Sequence, residues 1–494
     1  MVFSSKEFLG IFLPLVLLGL LLCRRSEWRR VLLIAASLWF YAQWNVSYLP
    51  LLLGSICCNW LVGRFMVARR GTRVGKYALW LGVTANLFTI SFFKYWNFLV
   101  EDVPGVFSTA TTHQLALPLG ISFFTFQQVV FLVETWRGRI GRVHPLEYGF
   151  FVAFFPQLIA GPIVDYQEMR PQLAKTSFLG TQRQILAGVF LFVCGLFKKV
   201  VIADLLEPWV AESFDAWEGK LLGATDVWLS TFAYSFQLYF DFSGYSDMAM
   251  GLALLCGLRL PANFNSPYQA TSIGDFWRRW HMTFGRLIRN YLYLPLLGSS
   301  PGPMRMVLGL VAVMFLGGLW HGAAWTFVAW GVAHGVALAA AMVFRKSPLG
   351  KQVATWAEKR LFRLGWMQAC WLATFLFVVL SRVLFRSPSM GTASFLGQTL
   401  GGASGWASPH LSSAEIYWRA IILTSLFVFV RIAPNTLQIL QRENVTTTVP
   451  KDLVATRLIW QPNLRWGLVF GAMLLLSVLA VVNRDSSPFI YFNF

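Results

Sequence analysis

Residues 315–335 read FLGGLWHGAAWTFVAWGVAHG, an apolar run about as long as the ~20 residues needed to cross a bilayer. Two histidines, His321 and His334, interrupt it. Ionisable side chains at membrane depth are costly, and they face a partner, a water-filled cavity or a reaction site. From this stretch alone a satisfied core histidine is the plainer reading and a catalytic base the sharper one.

Composition decides the class of the molecule. Of 494 residues, 56% are hydrophobic and only 13% charged, with a mean hydropathy of +0.57. That is far too apolar for a water-soluble domain and fits an all-α polytopic membrane protein. The net charge of +19 does not indicate nucleic acid, because the basic residues form short clusters between apolar runs. Clusters at 24–30, 64–76 and 136–142 are separated by even numbers of candidate spans, so all can face the cytoplasm and the anionic lipids there. The first apolar stretch, FLGIFLPLVLLGLLLC, lacks a small-residue cleavage site and precedes its basic cluster. It reads as a retained first span with its N-terminus outside. The six cysteines form no CxxC pair and no ligand spacing, so reduced thiols and no bound metal are expected.

Candidate spans fall at 8–23, 31–45, 48–63, 77–99, 115–133, 183–202, 226–256, 306–343, 366–384, 414–432 and 466–483. The longest can hide hairpins, and with re-entrant and amphipathic helices added the count is about eleven to thirteen. Stretches 147–163 and 226–256 are apolar but broken by Pro, Gly and polar residues. Such segments are tolerated only where protein or a cavity surrounds them, so they read as re-entrant or core elements. The second contains Asp241, Ser243, Tyr245 and Asp247. Alternate positions on a helix do not face each other, so these residues read as structural groups sooner than as an acid/base pair. Lys94, Lys198 and Lys199 lie near span ends and can snorkel. The absence of a visible repeat disfavours an inverted-repeat transporter.

Between 257 and 305 hydropathy falls while aromatics persist. Ser272, followed three residues later by Asp275, opens a helical period over 272–291. Trp277, Trp280, Phe284, Leu287, Ile288 and Tyr291 share one face, and Arg278, Arg279, Arg286 and Arg289 share the other. His281 lies at the edge of the apolar face. The pattern predicts an amphipathic helix at the membrane surface, its arginines toward phosphates.

Several chemistries find no support. Gly71, Gly75 and Lys76 are one residue short of a phosphate loop and are followed by Tyr77. Neither a GxSxG elbow nor an HExxH pair occurs. His113, His144 and His410 fall in predicted loops, and His334 shows no partner. What remains is His281 and His321, each beside tryptophans on a different predicted helix. An imidazole in an apolar cavity can take the proton of a hydroxyl as that hydroxyl attacks a thioester.

The blocks SIGDFWRRWHMTFGRLIRNYLYLPL and FLGGLWHGAAWTFVAWGVAHG resemble the signature of the membrane-bound O-acyltransferase superfamily. LYFDFSGYSDMAMGLALLCGLRLPANFNSPY, FFPQLIAGPIVDYQEM, LPLGISFFTFQ, the opening MVFSS and the closing SPFIYFNF resemble its bacterial branch, which acetylates alginate, cellulose and other exopolysaccharides. The resemblance runs end to end and implies a single domain over 1–494: N-terminal spans 1–145, a catalytic core 146–345 and C-terminal spans 346–494. It implies a helix bundle around a central tunnel in the bacterial inner membrane. A cytoplasmic thioester, acetyl-CoA in the first instance, would donate, with no bound cofactor. A periplasmic acetyltransferase partner would pass acetyl groups to the polysaccharide.

Carried over by position, the family's invariant histidine falls on His321 and its second polar catalytic position on His281. Trp277, Arg278, Arg279, Trp280, Asn290, Tyr291, Asp241, Ser243, Tyr245 and Trp320 become candidates for contacting donor or substrate, the arginines through coenzyme A phosphates. Where many members of this branch read Arg-Asp-Tyr, this chain reads Arg289-Asn290-Tyr291, and LLGSSPGPMRM stands in place of a Gly-Gly-Asn-Arg-like loop. A lipid or teichoic-acid acyltransferase would use the same histidine, and an exporter with a histidine proton relay is the rival from another class.

Overall fold

The computed structural model describes residues 1–101, 116–215, 221–450, 453, 456–484 and 487–493; His113 lies outside them. Among these, every regular element is helical, and Leu260 and Thr446 form an isolated bridge. Among the described residues, seven helices are long and apolar enough to cross a membrane: Val46–Ala68, Gln182–Phe214, Pro303–His321, Trp325–Lys346, Arg360–Arg386, Ser413–Ile432 and Leu464–Asn483. The apolar windows of the last two are only 11% buried. Their outward faces need lipid, and the chain is an integral multi-pass membrane protein.

Backbone contacts divide the chain into two units. The first comprises Met1–Val201, Phe242–Ala262 and Thr436–Asn493; the second comprises Ile202–Asp241 and Asn263–Asn435.

In the first unit, Gln182–Phe197 packs on residues 242–255 through facing glycines. A Cβ on Gly195 would lie 2.4 Å from the Gly244 carbonyl oxygen, and one on Gly251 would lie 2.5 Å from that of Gly188. Small residues permit this backbone approach, the usual means of helix association in lipid. The register sets Lys198 Nζ 2.6 Å from Asp247 Oδ2, and Thr436 donates to the same carboxylate. Lys199 is buried and donates to Ser487. Neither lysine snorkels as its place near a span end suggested, because each finds an internal acceptor. Tyr245 stacks between Phe3 and Phe489, each 4.7 Å away, so the two ends of the chain meet on one ring.

The stretch 226–256 corrects the sequence reading. It is one continuous helix, Ala224–Leu255, buried nearly throughout: a core element, as one of the two readings has it, and not a broken or re-entrant one. Polar residues along it do not interrupt it: Thr231 bonds to its own helix and Asp247 to Lys198 and Thr436. The stretch 147–163 is broken as expected, into Pro145–Ala153, Phe155–Leu158 and an extended segment.

In the second unit, the run 306–343 is a hairpin of Pro303–His321 and Trp325–Lys346. Here too glycines let backbones touch. A Cβ on Gly318 would lie 2.3 Å from the Phe327 carbonyl oxygen, one on Gly331 2.4 Å from that of Met314, and one on Gly335 2.8 Å from the Val311 Cα. This packing fixes where His321, the last residue of the first arm, stands.

Gly331→Val is therefore expected to destabilise the hairpin by roughly 1–3 kcal/mol or more, the scale of overpacking. Gly365→Ala, where nothing lies within 4 Å of the added carbon, serves as the neutral control. Thermal unfolding in detergent, followed by size-exclusion chromatography, measures both.

Candidate active site

The predicted amphipathic helix 272–291 is not one helix. Ser272 Oγ accepts from the Asp275 N–H and starts Ile273–Arg279, as the capping pattern implied. The helix stops at Trp280, and His281 adopts a left-handed conformation with φ 44°, before Met282–Ile288 begins. A non-glycine residue there is uncommon and needs surrounding support. The support comes from the upstream segment PANFNSPY: Met282 N–H donates to the Asn263 carbonyl and Asn265 N–H to the Arg279 carbonyl. These bonds replace those that a continuous helix would make.

The Asn263 side chain also assigns the proton on His281. Asn263 Oδ1 accepts from the Thr283 backbone N–H at 3.3 Å and the Thr283 hydroxyl at 2.8 Å, so the amide oxygen faces this cluster. His281 Nδ1 lies 3.1 Å from the same oxygen. Nδ1 therefore carries the hydrogen and Nε2 is the basic nitrogen. Outside the long spans, His281 is fully buried, and burial pulls its imidazole down to about 3, so the ring is neutral.

The two histidines share an aromatic platform. Phe284 and Trp320 stack at 4.0 Å; His281 stacks on Phe284 at 5.1 Å, and His321 lies 4.6 Å from Trp320 and 6.1 Å from Phe284. Trp330 and Phe385 meet the His321 ring edge-on at 5.2 and 5.0 Å. Both imidazoles are at most 3% exposed. Residues 281 and 284 come from one element and 320 and 321 from another, so the hairpin and the strained turn together build the pair.

The other residues singled out from sequence take different places. Trp280 is buried against Phe264 and Phe276. Arg278 and Arg279 both pair with Asp275, at 3.1 and 3.0 Å. Arg279 also donates to the Asn265 carbonyl, while Arg278 stays 60% exposed in its side chain. Asn290 and Tyr291 are half-buried in the helical turn Arg289–Tyr293, and nearby Tyr293 and Leu297 pack against Gly309 of the hairpin. Asp241 is buried in the second unit; Ser243 and Tyr245 belong to the first.

Sequence reading missed two features. Asn263, within the quoted block that ends PANFNSPY, was given no role, although its position in an Asn-rich turn just before the helix was the available signal. His334 does have partners: Trp277 Nε1–H donates to its Nδ1 at 3.3 Å, and its Nε2 lies 3.0 Å from Ser381 Oγ. An indole nitrogen only donates, so His334 is neutral with the hydrogen on Nε2. Its role is to bind Trp277 and the helix Arg360–Arg386 to the hairpin. His334→Leu should lower stability by about 1–3 kcal/mol, since the Trp277 donor loses its acceptor. Thermal unfolding of the detergent-solubilised variant measures this, and His334→Gln, which keeps an acceptor, is expected to recover part of the loss.

Comparison with known proteins identifies the family. Residues 71–379 match the model of the membrane-bound O-acyltransferase family, MBOAT, and so contain both histidines. The chain is 36% identical to a "Peptidoglycan O-acetyltransferase" of Helicobacter pylori, covering 100% of this chain and 98% of the relative. It is 34% identical to a "Probable alginate O-acetylase AlgI" of Azotobacter vinelandii over the full length of both. A "Teichoic acid D-alanyltransferase" of Bacillus subtilis is 27% identical over 68% of this chain and 86% of its own. The exporter reading thus gives way to group transfer, and the chain belongs to the membrane-bound O-acyltransferase family as a membrane acyltransferase.

Proposed function

We propose that the chain moves acetyl groups from a cytoplasmic thioester, acetyl-CoA, to a hydroxyl acceptor serving a polysaccharide outside the inner membrane. The observation that carries this is the pair of buried imidazoles on the Phe284–Trp320 platform. His321 takes the proton of the attacking hydroxyl as general base. His281, with its hydrogen held on Asn263, offers Nε2 to a donor or acceptor N–H or O–H and so positions it. The aromatic walls keep water, a competing nucleophile, away from the thioester.

Relatives named for alginate and peptidoglycan favour an extracytoplasmic polysaccharide as the final acceptor. A periplasmic acetyltransferase would receive the acetyl group first, which makes this chain the transmembrane step of a relay. The teichoic-acid relative supports a second reading, in which the acceptor is a lipid-linked or wall polymer and the acyl group differs. Isotopically labelled acetyl-CoA, with mass spectrometry of free coenzyme A and of acetylated products, separates the two readings. Label on an extracytoplasmic polysaccharide or its carrier protein supports the first reading, and refusal of acetyl-CoA supports the second.

In this assay His321→Ala is expected to abolish coenzyme A release while the protein remains folded; full activity would overturn the base assignment. His281→Ala should lower the rate at least tenfold, on the scale of one positioned polar group. Asn263→Leu, which frees the His281 tautomer, should lower the rate by a similar factor with less effect on donor KM. An unchanged rate in both would reduce His281 to packing.

A further inference from the structure

The helix Arg360–Arg386 carries one cation deep among apolar residues. Arg382 is 2% exposed. Its guanidinium carbon lies 4.7 Å from the centre of the Trp280 ring and 5.6 Å from that of Phe385. The Tyr268 hydroxyl hydrogen-bonds the guanidinium, and the Tyr234 hydroxyl and the buried His334 ring face its charge. Among the described residues it makes no ion pair, and its Nε–H has no hydrogen-bond partner. The indole N–H of Trp330, also 2% exposed, has none either. Phe385 joins these two donors to the base: its ring is 5.0 Å from Trp330 and 5.0 Å from His321.

A buried charge without a counter-ion, beside a buried donor without an acceptor, is strongly unfavourable in a resting protein. The cost becomes useful if a negative oxygen arrives there only during reaction, because fixed donors in a dry site then stabilise the transition state selectively. Cation–π contact with Trp280 holds the guanidinium in place without neutralising it.

We propose that Arg382, with Trp330, forms the oxyanion-stabilising corner of the active site. This rests on the thioester-transfer reading above. The acceptor oxygen bonds to the acyl carbonyl carbon, its proton passes to His321, and the carbonyl π pair moves onto oxygen. That oxyanion is received by the Arg382 guanidinium and the Trp330 N–H. Collapse re-forms the carbonyl and breaks the carbon–sulfur bond, and the departing thiolate takes the proton from the His321 imidazolium.

The test measures steady-state coenzyme A release from acetyl-CoA by full-length protein in proteoliposomes, for the parent, His321→Ala, Arg382→Met, Arg382→Lys and Trp330→Phe. Binding of a non-hydrolysable thioether analogue of acetyl-CoA and thermal unfolding are read alongside. Arg382→Met is expected to lose a hundredfold or more in kcat, with donor KM and analogue binding within threefold of the parent. Arg382→Lys should recover at least tenfold over Arg382→Met. Trp330→Phe, which keeps the ring and removes only the N–H, should lose about tenfold in kcat at parental stability. If Arg382→Met does not fold, Trp330→Phe and Arg382→Lys decide: parental kcat in both overturns the proposal. A rise in donor KM at unchanged kcat would place Arg382 on the donor's own anionic groups and also overturn it. Release that is the same in the parent and His321→Ala would instead strike the thioester-transfer reading, a failure visible before any Arg382 variant is compared.

Discussion

The close backbone contact between Pro303–His321 and Trp325–Lys346 is the constraint on which the active site depends. Side chains at positions 318, 331 and 335 would meet backbone atoms at 2.3 to 2.8 Å, so glycine is what allows the two arms to lie together. In lipid there is little hydrophobic force between helices, and close packing of small residues takes its place. His321 ends one arm, and Trp330 and His334 sit on the other. Once the arms are in register, the ring that would act as base and the walls around it are placed together.

Polar groups complete what packing begins. His334 bonds Trp277 on one side and Ser381 on the other, tying the hairpin to the helix on either flank. Asn263 collects the Thr283 hydroxyl, the Thr283 N–H and the His281 ring on one oxygen, while its backbone accepts from Met282. A left-handed histidine is thereby supported by bonds that only this tertiary arrangement supplies. The two histidines that look equivalent in the apolar run differ for this reason. His334 uses both ring nitrogens in bonds to Trp277 and Ser381, and His321 packs against Trp320, Trp330 and Phe385.

The first unit follows the same economy with different residues. Gly188, Gly195, Gly244 and Gly251 bring two helices together, and the half-buried Lys198 pairs with the buried Asp247 between them. Tyr245 gives the chain ends a common anchor. Ser243 and Tyr245, singled out as polar residues in an apolar run, are both buried in this unit, Tyr245 between Phe3 and Phe489.

By itself the sequence determined the class of molecule, because an apolar composition and runs of about twenty residues leave a helical bundle in lipid as the available solution. It also determined the two histidine blocks, whose residue types and order carry the family resemblance, and the start of the helix at Ser272, a local hydrogen bond. Tertiary structure alone decided the break at His281. The period over 272–291 contains neither proline nor a glycine at the break, and the bonds that replace the helix come from residues around 263. It decided the role of His334, whose partners lie 57 and 47 positions away in the chain, and it brought Arg382 beside Trp280. Periodicity reports which face of a segment is apolar; it does not report which distant donor, acceptor or ring will meet that face, and at this site those distant groups set the proton on His281 and the surroundings of His321.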